Sequence, residues 1–137
     1  MDKLKVDSRG RTDMIDITND IKEVVRKSGV KSGICLLFVP HTTGAVTITE
    51  FSDPNLMHDI LKSVNDLIPF ENQYTHEEGN AAAHIKSSLF NFSLEMIIDE
   101  GELVIGGYQG IFFCEFDGPR NRQVFVKSWK DKGEKAA

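Results

Sequence analysis

The run GICLLFV, residues 33–39, is the most restrictive feature of this chain, because it contains no charged or hydrogen-bonding side chain other than a cysteine thiol. It is strand length, and no polar face is left on it, so it reads as a central strand covered on both sides. A chain that hides such a strand must supply other layers to cover it. The C-terminal third provides them as four strand-like segments: SLEMIID (93–99), ELVIG (102–106), QGIFFCEF (109–116) and RQVFVKSW (122–129). Gly101, Gly106-Gly107 and DGPRN (117–121) punctuate these segments as turns.

Upstream, KLKVDS (3–8) alternates, and TDMIDIT (12–18) is expected to pair with it across the Arg9-Gly10-Arg11 turn. Thr18 is the expected N-cap of a helix carrying Ile21, Val24, Val25 and Ser28 at helical spacing, with Gly29 as its stop. AVTITEF (45–51) alternates cleanly, placing Val46, Ile48 and Glu50 on one face. Asp53 and Pro54 open a second helix that reaches Leu67 and stops before Pro69, and AAAHIKSSLF (81–90) forms a third. Seven or eight strands and three helices, without regular β–α alternation, predict an α+β fold. Its frame is a mostly antiparallel sheet or sandwich with about three flanking helices.

At 137 residues without a linker or repeat, the chain reads as a single domain, 1–137. A 40% hydrophobic, 27% charged composition excludes a disordered tail protein and a disulfide scaffold. Its net charge of −5 argues against nucleic acid as a partner. Cys35 and Cys114 lie inside apolar runs and read as buried thiols of a reducing compartment. No apolar stretch has membrane-helix length, so no membrane partner and a cytoplasmic location are expected. The basic ending KSWKDKGEKAA reads as a solvated tail.

Chemistry concentrates in a few places. His41, Thr42 and Thr43 interrupt two strands, and the second of these strands ends on Glu50. His58 reads as an exposed helical histidine next to Asp59. His76 and His84 would stand about 12 Å apart along one unbroken helix, too far to share a metal, but Gly79 breaks the helix between them. Asn80 and His84 then share a helix face. Gln109, Ile111, Phe113 and Glu115 share one strand face, and Arg120 and Arg122 follow it closely. Paired arginines suit phosphate or carboxylate, and two solvated turn arginines are the plainer alternative.

This ordered set, HTTGAVTITE, DP, the later His, Asn and AH, and GGYQGIFFCEFDGPRNR, resembles the YjbQ-like family of small proteins, linked to a secondary thiamine-phosphate synthase activity. The resemblance runs from about residue 16 to residue 129. It implies an α+β homotrimer with a polar pocket beside a subunit boundary, lined by His41, Thr42, Thr43, Glu50, Asp59, His76, Asn80, His84, Gln109, Glu115, Arg120 and Arg122. The chain departs from the family pattern at Gly44 (commonly alanine), Phe51 (often polar) and Tyr108 (usually tryptophan), without losing a candidate catalytic group.

Three functions accommodate these residues. The first is condensation of a pyrimidine pyrophosphate with a thiazole phosphate, in which Thr42, Thr43, Asn80, Gln109, Arg120 and Arg122 hold the phosphorylated molecule. His41, Glu50, Asp59 and Glu115 are then the catalytic candidates, and His41, His76 and His84 the candidate ligands of a divalent metal, zinc or magnesium. The second is a non-catalytic module that binds a phosphorylated metabolite or a metal. The third is metal-dependent hydrolysis by zinc on three histidines.

Overall fold

The computed structural model describes residues 1–133; the last four residues of the basic ending lie outside the described part. In chain order the elements are β1 (Asp2–Asp7), β2 (Asp13–Asp16), α1 (Thr18–Ser28), β3 (Gly33–Phe38), β4 (Gly44–Glu50), α2 (Pro54–Leu67), α3 (Ala81–Leu89), β5 (Ser93–Asp99), β6 (Glu102–Leu103), β7 (Gln109–Glu115) and β8 (Asn121–Lys130). They build two antiparallel sheets, one ordered β1-β8-β3-β5-β6 and the other β2-β7-β4. The expected α+β architecture is therefore present as a two-sheet sandwich with three helices. No helix among the described residues is long and apolar enough to cross a membrane.

Between the sheets lie Cys35, Leu37, Met96, Ile98, Val124 and Val126 of the larger sheet and Val46, Ile111 and Phe113 of the smaller one. Helix α1 closes this core with Ile21 and Val25, and its Gly29 cap adopts the left-handed conformation (φ 73°) expected of a helix stop. The smaller sheet is also covered on its other face, where Ala45, Cys114 and Phe116 meet Ala83 of α3. Both cysteines are free and buried.

Three local expectations change. The doubly covered strand is β7, buried from Gly110 to Glu115, whereas β3 is buried only on alternate residues and leaves Phe38 41% exposed. Periodicity cannot tell an apolar face that meets a core from one that meets solvent or another copy. β1 and β2 do not pair across their turn: β1 pairs with β8 and β2 with β7, in different sheets. Thr18 opens α1 without capping it. Its hydroxyl donates to Asp16 and accepts the Ile111 N–H at 2.8 Å, tying the helix start to β7. Asp53, in contrast, caps α2 as expected, accepting the Asn55 N–H at 2.9 Å.

Candidate functional site

The site is organised by a buried ion pair. Glu115 closes β7 with no exposure, and Arg122 opens β8 at 5% exposure, so the DGPRN turn folds one back onto the other. The Arg122 guanidinium forks onto the carboxylate through Nε (2.8 Å to Oε1) and Nη2 (to Oε2). Ser8 Oγ donates to Oε1 at 2.6 Å and the Asp117 N–H to Oε2 at 3.0 Å, so four donors converge on one carboxylate. Burial pushes the Glu115 carboxyl up, but the hydrogen bonds of Arg122, Ser8 and Asp117 and the arginine charge outweigh it and hold the group below its ordinary value. Gly118 fits here because any side chain would collide with the Gly10 carbonyl, 2.3 Å from where its Cβ would stand.

Arg122 then reaches outward, donating to the Thr43 hydroxyl at 2.8 Å and the Thr43 carbonyl at 3.2 Å. Thr43 is buried and starts the edge that leads into β4, so the pair fixes the wall that carries His41 and Thr42. His41 Nε2 accepts the Gln123 N–H at 3.0 Å. With that lone pair engaged, the neutral ring carries its proton on Nδ1 and offers a donor. Burial, followed by the nearby Arg122 charge, keeps the His41 pKa below its ordinary value.

These residues face a cleft of about 630 Å³, lined by both aromatic and polar groups, among them Phe38, Phe92, His41, Thr42, Arg120, His84, Asn80 and Asp117. Arg120 donates from Nη2 to Asp117 at 2.9 Å and from Nε to the Asp117 carbonyl at 2.7 Å, and Nη1 takes part in neither bond. Asp117 also accepts from Asn80 Nδ2 at 3.0 Å, while Asn80 Oδ1 is buried without a partner. Burial raises the Asp117 carboxyl, but Asn80 and Arg120 more than offset it and hold it below the usual range. His76 and His84 stand edge to face with ring centroids 5.0 Å apart, so the break at Gly79 does fold one back to the other.

Of the residues expected at a site, His41, Thr42, Thr43, Asn80, His84, Arg120 and Arg122 line the cleft. Glu115 stands behind it, and His76 joins through His84. Glu50 and Gln109 are register partners at the far end of β4 and β7, roughly 20 Å along the strand from Gly44. There Glu50 accepts from Ser52 and Gln109 from the Gly106 N–H. Asp59 is exposed on α2, as is His58. Among the described residues no three His, Cys, Asp or Glu side chains are grouped to hold a metal ion. The His41 Nε2 lone pair is engaged, and the two imidazoles that stand together are His76 and His84. The residues not singled out from the sequence include Ser8, Asp117, Gln123, Phe38 and Phe92; Gln123 acts through its backbone N–H, which no side-chain pattern reveals, and Asp117 through its N–H as well as its carboxylate.

The chain matches the family model described as UPF0047 protein YjbQ-like over residues 2–131. It is 46% identical to UPF0047 protein MJ1081 of Methanocaldococcus jannaschii over 130 residues, covering 95% of this chain and 94% of that protein. It is 42% identical to UPF0047 protein YugU of Bacillus subtilis, over 90% and 95% of the two chains. A YjbQ/UPF0047 family crystal structure from Clostridium acetobutylicum superposes with a TM-score of 0.92 at 44% identity, covering 94% of this chain and all of that one. A YbjQ-like protein of unknown function from Sulfolobus solfataricus superposes at 0.87 with 34% identity, over 91% and 92% of the chains. A common fold, near-complete coverage of both chains and this level of identity make the protein a member of the UPF0047 YjbQ-like family.

Proposed function

We propose that the cleft binds a small phosphorylated molecule and catalyses displacement of pyrophosphate from it, as in the condensation of a pyrimidine pyrophosphate with a thiazole phosphate. The observation that carries this reading is that three donor-bearing residues line the same 630 Å³ space: Arg120 with Nη1 unused, Thr42 with its hydroxyl, and His41 with its Nδ1–H. Such donors stabilise negative charge as it develops on a leaving phosphate. Arg122 has a different role from Arg120: both its carboxylate-facing nitrogens are committed to Glu115, so it positions the wall and leaves Arg120 to meet the ligand. His84 supplies a further imidazole to the cleft, suited to proton transfer, and Phe38 and Phe92 fit the flat body of a heterocycle. A divalent metal held by His76 and His84 would add Lewis-acid neutralisation of phosphate charge.

A second copy of the chain completes this picture. Ile34, Ile97 and Trp129 are in register across the outer face of the larger sheet, and Phe38 stands beside Phe125. Ile97 is 58% and Trp129 44% exposed, and Phe92 of the cleft is 64% exposed. Apolar patches at both ends of this face, separated by the row Glu95, Leu36 and Lys127, favour assembly that buries them, in line with the trimer the family resemblance implies.

Calorimetric titration with inorganic pyrophosphate and with thiamine phosphate tests the reading. Arg120→Gln should weaken binding about tenfold, the worth of one charge-assisted hydrogen bond. His41→Ala and His84→Ala should lose the ability to support growth of a thiamine auxotroph. Unchanged affinity in Arg120→Gln would remove the proposed anion wall, and full complementation by both histidine variants would remove the catalytic role.

A further inference from the structure

A separate cavity lies away from the cleft and shares no lining residue with it. It holds about 210 Å³ and is lined by Arg11, Thr12, Asn65, Phe70, Lys86 and Phe116. Five parts of the chain meet here: the turn before β2, the end of α2, the segment after it, α3, and the residue following β7.

Among the described lysines Lys86 is the buried one, at 3% exposure. Its Nζ has one acceptor, Asn65 Oδ1 at 2.7 Å, although an ammonium carries three protons to satisfy. Neither Lys86 nor Arg11 is in an ion pair among the described residues. The charge that acts on Lys86 is Arg11, another cation, and after burial it is the second reason the amine is held below its ordinary pKa. A lysine buried beside an arginine with no carboxylate is an arrangement that an aliphatic residue would replace at lower cost, unless an anion completes it.

The remaining polar groups have the same polarity. Asn65 Oδ1 is taken by Lys86, and Asn65 Nδ2 donates to Thr12 Oγ1 at 3.2 Å, which leaves the Thr12 hydroxyl proton to donate elsewhere. The Arg11 guanidinium lies 3.7 Å over the Phe70 ring, a stacking contact that orients its N–H groups while the residue stays exposed. Among the described residues no carboxylate lines the space. The cavity thus offers amine, guanidinium and hydroxyl donors against two aromatic walls, and its own acceptor is already used.

We propose that this cavity binds a small oxyanion, a carboxylate or phosphoryl group on a compact apolar body, between Lys86 and Arg11, with Phe70 and Phe116 against that body. Lys86 is the selective element, because its burial makes the site favourable only when the anion enters. Arg11, at the mouth, draws the anion in and holds one of its oxygens.

Thermal denaturation and calorimetry of the full chain with benzoate and with inorganic phosphate test this. Wild type should show saturable stabilisation, since a ligand bound only by the native state raises apparent stability. Stronger stabilisation by benzoate identifies a carboxylate ligand, and stronger stabilisation by phosphate a phosphoryl one. Lys86→Met should abolish binding, and Arg11→Gln, at an exposed position that leaves the fold intact, should weaken it about tenfold. Lys27→Gln, an exposed position on α1 that lines neither cavity, should leave it unchanged. Absence of a saturable shift with both probes, unchanged affinity in Arg11→Gln, or loss confined to Arg120→Gln would each overturn the proposal.

Discussion

Replacing Glu115 by Gln separates the charge of the buried pair from its shape. The carboxylate accepts from Ser8 Oγ and Arg122 Nε on Oε1, and from the Asp117 N–H and Arg122 Nη2 on Oε2. An amide has one oxygen, so whichever way it is turned, two of those donors face an NH₂ group. Arg122 keeps its charge at 5% exposure, and its acceptors are reduced to Thr43 and one neutral amide oxygen. Breaking one side of a buried pair leaves an uncompensated charge, at a cost of about 3–5 kcal/mol. For a domain of this size that corresponds to a fall in Tm of roughly 10–20 °C. Urea and thermal unfolding followed by circular dichroism measure it. Because the folded-state carboxyl is held below its ordinary value, the stabilisation is present at neutral pH and down to the unfolded value near about 4. It is lost as pH falls through the folded value, so wild type and Glu115→Gln should converge in acid. A loss of less than about 1 kcal/mol at pH 7, or a difference that persists unchanged below about pH 3, would refute the reasoning.

Two other outcomes follow from the same geometry. In a histidine titration by NMR, His41 should have a midpoint below about 6.5, with Nδ1 protonated in the neutral form. Stability should correspondingly decline as pH falls below about 6.5, because the unfolded chain takes up that proton more readily; a midpoint at or above 6.5 contradicts the assignment. Ile97→Lys, on the exposed outer face, should leave the circular dichroism spectrum intact and shift the light-scattering mass from about three chains to one. A wild-type chain that is already monomeric would rule out the shared-surface reading.

Much of the candidate site was legible because its chemistry is local. His41 between two strands, Asn80 and His84 on one helix face, and the arginines after Glu115 are close in sequence and close in space. Other roles were not legible, since they are set by partners more than a hundred residues away or by main-chain atoms. Ser8 meets Glu115 only because β1 pairs with β8, and the side of His41 that is a donor depends on the Gln123 N–H. Arg120 and Arg122 look equivalent in DGPRNR, but Arg120 pairs with Asp117 while remaining exposed, and Arg122 is buried in its pair with Glu115.

The same division runs through the fold. Local rules sufficed for the helix ends at Gly29 and Asp53, the shared face of Val46 and Ile48 on β4 and the antiparallel α+β class, because backbone conformation and side-chain period act over a few residues. Packing alone decided that β1 and β2 enter different sheets, that β7 rather than β3 is covered on both faces, and that Glu50 and Gln109 lie a strand's length from His41. A strand's residues specify which of them share a face, but only the opposing layer determines what that face meets, and so which acids become buried partners and which stay in solvent.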